Sequence, residues 1–183
     1  VALSGDQAWT LSADNTAWEP VRMPAMAPGR AFTASAGIAG RTYLLEGPGA
    51  LSDALQPVTL RAGALVLDSP VPLPQRMGNA QVAAFNDALF VIGSDTTGIL
   101  QLYRRGATAA ATWQHLEQVP ASGVPRAMQA QKGALYLAMG VAGQPDQLWR
   151  RNADASWQPV ASPDGTIVAG SMPPTISAPA FIA

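Results

Sequence analysis

The sequence contains no cysteine. Disulfides, thiolate metal sites and a cysteine nucleophile are therefore excluded, and the absence suits an oxidising or a reducing compartment equally. It has one histidine, His115, and scattered carboxylates. Metal sites want clustered ligands, so neither a metal nor another cofactor is expected. A serine triad would have to run through His115, and no Gly-x-Ser-x-Gly elbow is present. In "TWQHLEQ" that histidine reads as a structural or solvated residue of an outer strand. Charge is scarce as well: 13% of the 183 residues, with a formal net charge of −1. No basic run exceeds the pairs Arg104-Arg105 and Arg150-Arg151. A nucleic acid partner needs a dense basic face, and none is written here. Residues 165–183 carry no charge, but the adjacent prolines of "SMPPTISAP" argue against a spanning helix, so no membrane span is expected.

Hydrophobic residues, at 48%, are plentiful enough for a buried core, and the length fits a single domain over 1–183. No helical periodicity is sustained over a dozen residues; "GATAAAT" reads as a loop between strands. An internal repeat is present instead. "PGRAFTASAGIAGRTYLLEG", "PQRMGNAQVAAFNDALFVIGS" and "VPRAMQAQKGALYLAMG" share a Pro-Arg turn, small and polar residues, a second turn, a hydrophobic run and a Gly. Their arginines, Arg30, Arg76 and Arg126, are spaced by 46 and 50 residues, the period of four-stranded propeller blades.

A second repeat is interleaved. "DQAWTLSADNTAWEPV" near the start and "DQLWRRNADASWQPV" near the end have paired aromatics, Trp9 with Trp18 and Trp149 with Trp157. Tyr103 and Trp113 occupy the same places in "LQLYRRGATAAATWQHL". "QPVTLRAGALVLDS" has aliphatics there instead. Four short strands per unit predict an antiparallel β-meander. The units run over 30–75, 76–125 and 126–171, with a composite of 1–29 plus 172–183. "VALSG" matches the end of a second strand and "MPPTISAPAFIA" a first strand. Pairing these termini, residues 175–182 beside 1–5, would close a ring and remove two sheet edges.

This pattern resembles the kelch family of β-propellers, carried by the Pro-Arg turn, the strand ending in Gly, and the aromatic followed some ten residues later by Trp. "AWTLSADNTAWEPVRMPAMAPGR…TYLLEG" and "WQPVASPDG" are similar to the bacterial N-acetylneuraminate epimerase (mutarotase) group. The fold class expected is an all-β, kelch-like propeller of about four blade equivalents, or part of a larger one. The resemblance points to a periplasmic or extracellular setting, although the residues leave the compartment open.

The first strand of each unit would line a central channel. Polar residues fall three and five places after each arginine: Thr33 and Ser35, Asn79 and Gln81, Gln129 and Gln131. Strand geometry puts such pairs on one face. They read either as water-holding groups or as a ligand funnel with Arg30, Arg76 and Arg126 at its mouth. Guanidinium forks suit carboxylates. The partners expected are therefore a protein or an acidic small ligand such as a sugar acid, with self-association completing a ring as a further reading. The function expected is a non-catalytic binding or protein-interaction module that uses rim loops and an Arg-bordered channel. The alternative is a mutarotase or epimerase acting on sialic acid or a related acidic sugar. Glu46, which follows a strand end, is its candidate acid/base group, because mutarotase-like propellers place such groups there.

Overall fold

In the computed structural model the described residues are 2–4, 7–12, 14, 16–22, 30–48, 51–108, 110–116, 119, 123–152 and 154–160. Every regular element among them is a β-strand. The order is β1 (Ala2–Ser4), β2 (Gln7–Leu11), β3 (Trp18–Val21), β4 (Arg30–Ile38), β5 (Arg41–Pro48), β6 (Leu51–Arg61), β7 (Ala64–Leu67), β8 (Val71–Phe85), β9 (Ala88–Ser94), β10 (Leu100–Gly106), β11 (Trp113–Leu116), β12 (Val124–Gln131), β13 (Ala134–Gly140), β14 (Gln147–Arg151) and β15 (Trp157–Pro159). All strand pairs are antiparallel, and no sheet closes on itself. Among the described residues no helix is long and apolar enough to cross a membrane.

Tight turns set the strand ends. Ala39-Gly40, Ala62-Gly63, Asn86-Asp87 and Lys132-Gly133 all have positive φ at both residues. A two-residue I′ hairpin requires that, and its twist matches that of the strands it joins. The flanking residues pair directly: Ile38 with Arg41, Arg61 with Ala64, Phe85 with Ala88 and Gln131 with Ala134. Counted from these turns, the β4–β5, β8–β9 and β12–β13 hairpins keep the same register for five steps, as far as their bulges.

The strands group into a three-stranded sheet β1–β3, an eight-stranded sheet β4–β11 and a four-stranded sheet β12–β15. The expectation of separate four-stranded units at 30–75 and 76–125 differs from this at one place. The 15-residue β8 starts early and pairs with β6 before it pairs with β9, so the two units share a sheet. The reason is packing: Val71, Leu73 and Met77 extend the apolar pattern of β8 upstream and join the core there. The β6–β8 ladder breaks between Ser52 and Ala54, where residues 73–76 of β8 stand against Asp53 alone. The chain thereby folds the sheet over, and β4 comes to lie against β8.

Two cores result. The first joins Ala36, Tyr43, Leu45 and Leu55 to Met77, Val82, Leu89 and Val91. The second joins Ala83, Phe85, Phe90, Ile92 and Leu102 to Met128, Leu135, Leu137 and Met139. Along β9 successive residues alternate between them, as strand period demands. The terminal sheet attaches at its other side. Arg22 forms a parallel bridge with Ala64, the Leu65 amide donates to the Arg22 carbonyl at 3.1 Å, and Val21 is buried. The expected pairing of residues 175–182 with 1–5 lies outside the described residues.

Register explains the sequence echo. Trp9, Tyr103 and Trp149 pair with Ala2, Val91 and Leu137 respectively. Trp18, Trp113 and Trp157 pair with Leu11, Arg105 and Arg151. The aromatics hold the same ladder steps in three hairpins. Tyr103 and Trp113 pack on the first core, Trp149 and Trp157 on the second.

One ladder step breaks the apolar rule. Thr42 matches Leu89 and Leu135, yet its buried Oγ1 has no hydrogen-bond partner among the described residues. Thr42→Val should therefore raise stability by about 1 kcal/mol, since an unpaired buried hydroxyl costs roughly that much. Leu137→Ala should lower it by about 2–5 kcal/mol through the cavity left behind. Urea midpoints at unchanged slope would check both.

Candidate functional site

The β4, β8 and β12 strands are the first of their runs; β4 lies against β8 and β8 against β12. Each is irregular near its opening end. Thr33 is the extra residue between Phe32, paired with Glu46, and Ala34, paired with Leu45. Asn79 and Ala80 stand together against Gly93 alone. Arg126 is the extra residue between Pro125 and Ala127. Bulges of this kind re-aim side chains and gather beside binding sites.

The glycines that end the second strands are explained by these bulges. A Cβ on Gly93 would come within 2.9 Å of Met77 Cβ and 3.0 Å of the Gly78 carbonyl oxygen. A Cβ on Gly140 would overlap the Arg126 guanidinium, which crosses the strand at that point. Removing the side chain lets the bulged strand lie close.

The three arginines do not share one step. Arg30 stands nine residues before its turn at Ala39, Arg76 ten before Asn86, and Arg126 six before Lys132. The β12 strand is shorter than its counterparts, so aligning the arginines in sequence shifts its register. They nevertheless gather at one end. Measured from the equivalent pairs Ala31–Gly47, Gly78–Ser94 and Val124–Gly140, each lies within two residues. Arg76 and Arg126 are exposed on neighbouring strands.

The polar residues are distributed over different faces. Thr33 Oγ1 lies 3.2 Å from the buried Ser52 Oγ and 3.4 Å from the Leu45 carbonyl oxygen. Ser35 is on the side of β4 opposite Ala36, hence away from the first core. Asn79 is exposed, with φ 49°. Gln81 shares its face with Ala83 and Phe85, toward the second core. Gln129 and Gln131 are exposed on the outward face of β12, opposite Met128. Glu46 is half-buried and paired with Phe32 and Ala54; Asp53 adjoins that step.

One arrangement had no signal in the sequence. At the same end of β9, Asp95 Oδ1 accepts from the Thr97 amide (2.9 Å), the Thr97 hydroxyl (2.7 Å) and the Ile99 amide (3.0 Å). Its Oδ2 accepts from Gln101 Nε2 at 2.9 Å, and Gln101 Oε1 lies 2.7 Å from His115 Nε2. Because the amide nitrogen is committed to Asp95, the amide oxygen accepts and the imidazole carries its proton on Nε2. The ring also rests on Tyr103, with centroids 5.1 Å apart. The turn after β9 must come together with β10 and β11 before this chain of contacts exists.

Among the described residues no group of three or more His, Asp or Glu side chains could hold a metal ion. The end just described offers guanidinium groups, hydroxyls, an amide and carboxylates, which is the chemistry of polar and anionic recognition. No family model matches the chain, and no curated protein matches it.

The hydroxyl of Thr97 foremost, with backbone amides and Gln101, holds the Asp95 carboxyl below the 3.8 of a free aspartate. A lowered folded-state pKa contributes stability above the unfolded value and loses it as pH falls through the folded one. The melting temperature should therefore exceed that of Asp95→Asn near neutrality, with the gap closing as pH drops below 3.8. Thermal unfolding of both proteins between neutrality and strong acid would check it.

Proposed function

We propose that the chain is a kelch-like propeller module that binds an anionic partner at the opening end of its first strands. The observation that carries this reading is the pair Arg76 and Arg126, exposed on adjacent first strands at one end. The repeating four-strand runs, the abutting first strands and the aromatic steps support the propeller, whose first strands line an axis. Arg126 laid across Gly140 supports a held guanidinium rather than a freely rotating one. A carboxylate suits such groups, whether presented by a sugar acid or by an acidic segment of a protein seated on the rim loops. Thr33 and Asn79, which flank the opening ends of β4 and β8, then supply polar surroundings, and Arg30, Gln81, Gln129 and Gln131 remain candidates on the same three strands.

The alternative is a mutarotase acting on an acidic sugar, with Glu46 as acid/base group. Its support is local: Glu46 is half-buried at the step where Thr33 meets Ser52. A positioned carboxylate there would contribute about 10²–10⁴-fold to ring opening.

N-acetylneuraminate and a glutamate-rich peptide are suitable probes. Titration should show binding that Arg76→Ala with Arg126→Ala weakens by about tenfold per arginine, the exposed end of the range for charged hydrogen bonds. Glu46→Gln should leave binding intact. Anomer exchange of the sugar followed by NMR separates the alternatives, since acceleration lost in Glu46→Gln selects the enzyme. Binding of neither probe would overturn the anionic reading.

A further inference from the structure

Register brings two arginines from different sheets to one aromatic ring. Arg104 pairs directly with Phe90, so both side chains leave their ladder on the face of the second core. Arg151 pairs with Leu135 and Trp157 in the facing sheet, and its guanidinium lies 5.6 Å from the centroid of the Phe90 ring. The cations are near enough to act on each other, since Arg104 adds to burial in lowering the Arg151 pKa. Among the described residues neither guanidinium has a hydrogen bond or an ion pair. The carboxylate whose charge favours Arg151 is Asp154, which is exposed and accepts instead from the Ser156 amide at 3.0 Å and its hydroxyl at 2.6 Å. Trp149, two residues before Arg151 on the same face of β14, buries its indole N–H with no acceptor among the described residues. Donors are in surplus here, and a half-buried cation without an acceptor is costly even over a ring.

The first core supplies the comparison. There Arg105 holds the ladder step of Arg151, and Tyr43 that of Phe90. The step of Arg104 is taken by Pro57, and Arg105 donates to the Gly106 carbonyl at 3.5 Å. The second arginine and the shortage of acceptors thus occur together, at the second core and not at the first.

We infer that Arg104 and Arg151 form an anion site of their own that takes a phosphate group. It lies toward the Asn86-Asp87 and Lys132-Gly133 turns, at the end of these strands away from Arg76 and Arg126. Two guanidinium forks arriving from different sheets offer more donors than the two oxygens of one carboxylate can receive side by side. A phosphate ester has three acceptor oxygens and a charge of about −1.5 to −2 near neutrality, so it can face both forks and relieve their repulsion. The Phe90 ring holds the Arg151 fork beside that of Arg104.

Titration of the full chain with inorganic phosphate or phosphoserine tests this, the two separating a free ion from an ester. The Trp157 indole N–H signal, assigned with Trp157→Phe, reads the site because Trp157 is the ladder partner of Arg151. That signal should move on titration, and Arg104→Gln and Arg151→Gln should each weaken the response by at least about tenfold. Circular dichroism checks folding; Arg104 is exposed, so its variant decides the matter should Arg151→Gln fail to fold. Arg76→Ala with Arg126→Ala should leave the Trp157 response in place. A parent that responds to neither phosphate probe would overturn the inference, as would a response that survives Arg104→Gln. Acetate bound as tightly as phosphate would overturn the choice of ligand. Failure of the carboxylate probes at the opening end would leave this site standing, since the two share no residue.

Discussion

Strand β9 has no solvent face, and the rest of the fold is arranged around that. Ala88, Phe90 and Ile92 enter the second core while Leu89 and Val91 enter the first. A strand covered on both sides reads as an unbroken apolar run, "ALFVI", with no polar alternation. Its neighbours must therefore deliver apolar residues from two directions. The β4–β7 run does so by folding its sheet over at the β6–β8 break, and β12–β15 does so as a separate sheet. Gly93 closes the run because the β8 bulge occupies the space a side chain would need.

The same alternation divides the arginine pairs. Arg105 is 6% exposed and Arg151 half-buried, both turned toward a core beside Trp113 and Trp157. Arg104 and Arg150, one residue away, are exposed. Arg151 lies 5.6 Å from the centroid of the Phe90 ring, where the ring quadrupole offsets part of the lost hydration. Burial, with Arg104 nearby, pulls its pKa down. Adjacent basic residues in a strand point to opposite sides and so cannot form a patch.

Much of this was legible because the repeat carries its own ladder. Aromatics at fixed steps, apolar second strands and Gly-containing turns expressed the antiparallel runs and the reason for the echo between residues 6–21 and 146–160. What escaped depended on where strands stop. Arg126 shares the Pro-Arg spelling of its unit, but it stands six residues before its turn where Arg30 stands nine before its own. Nothing in "VPLPQRM" announces that β8 will pair with β6 first. The Asp95–Gln101–His115 contacts join the turn after β9 to β10 and β11, and no sequence spacing announces that meeting.

Loops, by contrast, vary while the steps they connect hold. Leu11–Trp18, Arg105–Trp113 and Arg151–Trp157 are equivalent pairs enclosing hairpins of different length. In the first hairpin Asp14 accepts from Ser12 Oγ at 2.6 Å and Thr16 Oγ1 at 2.8 Å; in the last, Asp154 accepts from the Ser156 hydroxyl at 2.6 Å. Side-chain turns of this sort satisfy their own backbone and ask nothing of the sheets. The opening end is different in kind. There Thr33 of β4 meets Ser52 of β6, Asp95 adds to its own turn a contact with Gln101 of β10, and a bulge sets each first strand. An anionic partner of the kind proposed would meet strands whose register is set by those bulges and by the cores behind them, and not by the turns that vary from hairpin to hairpin.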